Sequence, residues 1–254
     1  MVEFNSCGVA RAGIWRPVRS FLLGAVFLGL ASGAVDAAST ASPAVSDQHA
    51  TATSATGAQA SSDAIEHKSP PAAPLVVDGF RSAKFGMDEA ALRSAIDKDF
   101  GIKGHAVRIG KNPAERTTTL MVSVPNLLAG GGTAEVSYVL GYKTRKLIQV
   151  GVAWSKATDR KMTPDELYAN GEALKDHFLS AGYVPGSIKS GLVLRNGILL
   201  FRGEDKAGHA TILLLQGNFV DHEGKKELRP ASLALLYAAD PDHPDIFKIS
   251  AGQF

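Results

Sequence analysis

The chain has 254 residues, 27 Lys or Arg against 25 Asp or Glu, a net charge of +2, and one cysteine. That balance excludes the basic footprint of a nucleic-acid binder. Cys7 alone supports no disulfide framework, cysteine metal site or cysteine nucleophile in the body of the chain.

In chain order, residues 1–37 read as a secretory signal. Arg11, Arg16 and Arg19 precede an uncharged apolar run from Phe21 to Val35, and Val35-Asp36-Ala37 offers tolerated residues for cleavage near Ala37. The run is shorter than the ~20 residues of a spanning helix, so cleavage is favoured over a retained anchor, leaving no membrane span. No cysteine follows for lipidation. The expected location is the periplasm or the exterior. Without the signal, 24 basic and 23 acidic residues remain.

Residues 38–75 are Ala, Ser, Thr, Gly, Gln and Pro with hardly a large apolar residue before Ile65. Such a stretch buries too little to repay ordering and is expected to be a disordered linker. Residues 76–254 are read as a single domain, long enough to bury roughly 70% of its unfolded surface.

The domain opens at Gly79–Gly101 with a short strand or turn feeding a helix over Glu89–Phe100. Asp88 is its N-cap, Met87 and Leu92 form a hydrophobic staple, and Leu92, Ile96 and Phe100 make its apolar face. Gly101 supplies the left-handed stop. Phe80 and Phe85 are expected core anchors.

Strands are predicted at His105–Lys111 and Thr117–Val124, turning at Asn112-Pro113, followed by a loop over Pro125–Thr133. The clearest hairpin pairs Ala134–Leu140 with Lys146–Ser155. Val136, Tyr138 and Leu140 alternate in one strand, and Ile148, Val150, Val152 and Trp154 in the other.

Thr163-Pro164-Asp165-Glu166 is a capping box with proline at the first helical position. Leu167, Leu174 and Phe178 stripe that second helix, and Gly182 stops it. Further strands are predicted at Gly191–Arg202, kinked at Asn196-Gly197, and at His209–Gln216 and Ser232–Tyr237. Gly217–Pro230 is predicted as a loop, and Asp240–Phe254 as turn or coil. Helices set apart from runs of antiparallel strands give an α+β fold of about six to seven strands backed by two helices. The order suggests two similar helix-plus-meander units, near Phe85–Ser155 and Thr163–Tyr237.

No catalytic, cofactor-binding or metal-ligating set stands out. Gly130-Gly131-Gly132-Thr133 lacks the ending of a phosphate loop and reads as a strand connection. Asp221, His222 and Glu223, and Asp240, Asp242, His243 and Asp245, bring oxygen and imidazole close in sequence, but in turn-rich segments where Asp is expected anyway. Gly-x-Ser-x-Gly is absent. Lys143, Arg145 and Lys146 at the hairpin tip, with Tyr138 and Trp154 in its strands, form the candidate interaction surface. Core is the commoner role for alternating strand aromatics.

Phe85-Gly86-Met87 before a capped helix, with Ser137–Gly141 and Leu147–Trp154, resembles exported proteobacterial proteins of unknown function. Those begin their domain with a Phe-Gly-Met helix start and run a meander ending in an apolar-Trp strand. More distantly, Gly79–Ser155 is similar to small α+β modules of outer-membrane-assembly lipoproteins and β-lactamase-inhibitor-type proteins. The resemblance implies binding to another envelope protein without catalysis. The alternative is a small-molecule binder, or a hydrolase whose site converges only in three dimensions.

Overall fold

The computed structural model describes residues 75–249 and Gly252. The signal and all of the linker but Leu75 lie outside the described residues.

A two-residue hairpin comes first, β1 (Gly79–Phe80) with β2 (Ala83–Lys84), turning through Arg81 at φ 54°. Helix α1 (Glu89–Phe100) follows with the expected ends. The Asp88 carboxylate accepts from the Ala91 N–H at 3.0 Å, and Gly101 closes the helix at φ 67°. Its start is stitched to the sheet, for the Gly86 N–H donates to the Leu147 carbonyl at 2.9 Å. The Leu147 N–H returns a bond to the Met87 carbonyl at 2.7 Å. Leu92, Ala95 and Ile96 are buried by this docking.

Four strands follow: β3 (Arg108–Asn112), β4 (Thr117–Val124), β5 (Ala134–Leu140) and β6 (Leu147–Ser155). Helix α2 (Pro164–Leu179) begins with the complete capping box, Thr163 N–H to Glu166 Oε2 at 2.7 Å and Glu166 N–H to Thr163 Oγ1 at 3.2 Å. Four more strands complete the fold: β7 (Leu192–Leu194), β8 (Gly197–Glu204), β9 (Ala210–His222) and β10 (Lys225–Ala238).

All eight form one antiparallel sheet in the order β3-β4-β5-β6-β10-β9-β8-β7. Each half is a helix followed by a four-stranded meander, and the halves meet where β6 pairs with β10. The α+β class and the two-unit plan therefore hold.

Strand pairing places Val122, Val136, Val152, Leu235, Leu213 and Phe201 in one row across the sheet. That row faces the helices and joins Leu92, Ile96, Leu167, Leu174 and Phe178 in one core. At Gly171 of α2 an added Cβ would lie 2.7 Å from Leu200 Cδ1. Glycine is what lets that helix lie so close to β8.

Three sequence expectations are corrected. The sheet has eight strands, plus the separate β1-β2 pair. Gly191–Arg202 is not a kinked strand: Leu194 pairs with Gly197, so Arg195-Asn196 is the two-residue turn of a tight hairpin between β7 and β8. Gly217–Pro230 is not a loop but the outer part of a long hairpin, turning at Glu223 (φ 54°) and Gly224 (φ 78°). Two left-handed residues there match the twist of a two-residue hairpin turn. The Tyr168 hydroxyl of α2 holds this extension by donating to the Leu228 carbonyl at 2.7 Å. A smaller difference lies at His105, which sits in a short 3-10 turn, Gly104–Ala106, before β3.

Candidate functional site

The cationic hairpin tip is partly engaged by the chain itself. The N–H groups of Lys143 and Thr144 and the Thr144 hydroxyl all donate to the Asp245 carboxylate, at 3.1, 2.9 and 2.7 Å. Burial pushes the Asp245 carboxyl up, but these donors and the Lys143 charge outweigh it and leave it below its ordinary value. Phe247 stacks edge-on to Tyr142, under the Arg116 guanidinium at 3.8 Å. Lys146 is drawn to Asp88 at 3.3 Å. Lys143 and Arg145 keep exposed side chains. Tyr138 and Trp154 do not join them at the surface: pairing turns both toward the helices, where they are 0% and 1% exposed.

Two other features stand out. The first is the sheet face turned away from the helices. In the first half it carries Thr119, Ser123, Glu135, Ser137 and Gln149 among Met121, Val139 and Ala153, with Arg108 paired to Glu135. In the second half it carries Leu199, Ile212, Leu214, Ala234 and Leu236, which are buried yet stand outside the core beneath the helices, together with Gln216, Ser232 and Arg202 ion-paired to Glu204. The patch runs out to β7, where Leu192, Val193 and Leu194 are 47%, 71% and 42% exposed. Lys189 and Arg195 flank that strand. The opposite edge, β3, carries Arg108 and Lys111, the charges that ordinarily blunt an edge strand.

The second feature is a cleft of about 320 Å³ beside α2, over the join of β6 and β10. Val152, Trp154, Leu235 and Tyr237 form its floor, α2 gives Leu174, His177 and Phe178, and Phe80, Arg81, Leu127 and Leu128 close it. The Leu127-Leu128 wall is held by buried Asn170, whose Nδ2 donates to the Gly131 carbonyl at 3.0 Å. Thr133 N–H donates to Asp159 at 3.0 Å, so a carboxylate of the chain itself takes the amide at the end of the glycine run.

Among the described residues, two buried polar atoms beneath the helices lack a partner, Trp154 Nε1 and the Tyr138 hydroxyl. Burial, reinforced by Asp99 and opposed by Arg81, pushes the Tyr138 phenol well above its ordinary range. Arg81 lies over the Phe100 ring at 4.9 Å and Phe80 at 5.7 Å. Among the described residues it has no ion-pair partner.

An acid–histidine pair exists at Asp205 and His209, 3.2 Å apart. Its carboxylate is committed elsewhere, accepting from the N–H groups of Val77, Ala207 and His209 at 2.9, 2.8 and 2.9 Å. It pins the chain's approach to β1 onto the β8-β9 turn. Asp221, His222 and Glu223 sit at the tip of the long hairpin, and the Asp240 carboxylate caps the N–H groups of Asp242 and His243. Among the described residues no group of three or more His, Cys, Asp or Glu converges to hold a metal.

Sequence reasoning named Trp154 but missed Arg81 and His177, because the cleft draws on segments far apart in the chain. Comparison of the chain with protein-family models, curated proteins and solved structures gives no match. No helix among the described residues is long and apolar enough to cross a membrane.

Proposed function

We propose that this is a non-catalytic module of the cell envelope, exported by its N-terminal signal, that binds another protein through the second half of its sheet. The carrying observation is the exposed apolar edge strand β7, with Leu192, Val193 and Leu194 open beside the buried outer-face residues Leu199 and Leu214, set against the charged edge at β3. An edge with unpaired backbone groups and exposed alternating side chains recruits an extended strand from a partner. The partner's chemistry follows: an apolar β-segment flanked by acids, complementary to Lys189 and Arg195. The sequence resemblance to envelope proteins that bind other proteins supports the same reading.

The test places a photo-crosslinking residue at Val193 or, separately, at Lys111, and illuminates cells. The expected result is one discrete protein adduct from position 193, absent from 111 and lost when Leu192→Lys is added. The crosslinked partner residue should map to an apolar extended segment. An adduct between two copies of this chain, equal labelling from both edges, or none from 193 would sink the reading.

A further inference from the structure

Beyond protein docking, we infer that the cleft beside α2 is a binding site for a small amphipathic carboxylate, with an aliphatic or aromatic body and one anionic head.

Size and lining come first. About 320 Å³ lies at the small end of ligand pockets, and the floor and walls are mostly apolar: Phe80, Leu127, Leu128, Trp154, Leu174 and Phe178. A close-packed core leaves few voids larger than a water molecule. A space of this size, open at one side, is therefore a feature of the surface and not a packing defect.

The second argument is charge. Arg81 lines the cleft, stacks on Phe80 and Phe100, and has no ion-pair partner among the described residues. The stack holds the planar guanidinium in place, so less freedom is lost when a carboxylate takes both N–H groups. Asp99 is nearby in the field of Tyr138, but its carboxylate accepts from the Ser82 N–H at 2.9 Å. His177 of α2 also lines the cleft.

Trp154 is 1% exposed, lines the cleft, and its Nε1 has no acceptor among the described residues. That N–H is itself buried, so it lies within the floor and is not a contact open to a ligand head. An apolar wall and a guanidinium without an ion-pair partner among the described residues together describe an amphipathic acid better than a neutral lipid, a nucleotide or a sugar.

The test uses a feature of composition. The chain has two tryptophans, Trp15 and Trp154. In the full chain carrying Trp15→Phe, all indole emission comes from the cleft floor. Decanoate and decanamide, with one body and different heads, are titrated below the range where the acid forms micelles. The expected result is a saturable change with decanoate and roughly tenfold or more weaker binding of the amide. Arg81→Gln should bring the acid down to the level of the amide and leave the amide unchanged. Ala173 of α2 also lines the cleft, and Ala173→Leu, a helix-compatible filling of it, should weaken both. No saturable change with decanoate, equal binding of acid and amide, or an unaltered preference in Arg81→Gln would overturn the site. The acid–amide comparison needs no cleft variant, so a misfolded substitution leaves the question decidable. Val193→Lys should leave the decanoate isotherm unchanged, which separates failure of this site from failure of the protein-docking edge.

Discussion

Beneath the helices, the row Phe201, Leu213, Leu235 of the second half continues into Val152, Val136 and Val122 of the first without change of character. On the reverse side, the row Leu199, Leu214, Ala234 runs into Ala153, Glu135 and Ser123. One plan of helix and meander thus builds two kinds of sheet. The first half is finished on its outer face as a solvated antiparallel sheet usually is. The second half carries more leucine on that face, beside the Arg202–Glu204 pair, and ends at an edge strand whose own side chains are apolar and exposed. The inner faces must match because they share one core; the outer faces owe each other nothing. The difference lies where function has room to act.

Matched substitutions across the halves probe this comparison. The largest effects belong to the shared core: Leu120→Ala and Leu213→Ala, both at fully buried residues, should each cost about 2–5 kcal/mol in denaturant unfolding. Both should shift a single transition; two separated transitions would show the halves to be independent.

Next comes the clasp at the β8-β9 turn. Asp205→Ala strips the acceptor from three backbone N–H groups and should cost about 1–3 kcal/mol. Its pH dependence has a definite sign. Burial pushes the Asp205 carboxyl up, but N–H groups of Val77, His209 and Ala207 and the His209 charge outweigh it, leaving it below the ordinary 3.8. Its contribution is therefore complete above pH about 4 and is lost as pH falls through the lowered value. Asp205→Asn should flatten that acid limb in pH-dependent melting, and an unchanged limb would refute the assignment.

Smaller effects follow at the helix starts. Asp88→Ala in the first half and Thr163→Ala in the second each remove an N-cap and should each cost about 1 kcal/mol by thermal unfolding. The smallest is Leu192→Lys, within about 0.5 kcal/mol of no change at a side chain 47% exposed. Lost crosslinking with unaltered melting would mark β7 as a surface used in binding. A large loss of stability would mark it as buried by something in the folded chain itself.

What sequence could foresee divides along the same lines. Both helices and strands β4 and β5 were legible because cap, stripe and alternation are local signals that agree at Asp88, Thr163 and along Val136–Leu140. The Gly217–Pro230 error has a physical reason. There the hairpin extends beyond the helix-covered core, most of its residues are exposed on both faces, and alternation has little to report. Leu192-Val193-Leu194 is too short to show a period. The run Ile212–Leu215 did carry a hint, because consecutive leucines in a strand mean two apolar faces. The cleft was out of reach: Arg81, Trp154 and His177 meet only once both helices have docked, and no spacing in the chain encodes that meeting.

The join between β6 and β10 has a kinetic consequence. Every other neighbouring pair in the large sheet consists of strands consecutive in sequence, so each meander can assemble from local contacts. The join alone brings together segments some 80 residues apart, Val152 opposite Leu235 for example. Non-local pairings carry the greater loop-closure penalty and tend to be late. If the join forms after the folding barrier, Leu235→Ala should mainly speed unfolding and leave the refolding arm of the chevron nearly unmoved. The floor of the cleft, which straddles that line, would then be the last part of the molecule to come into being.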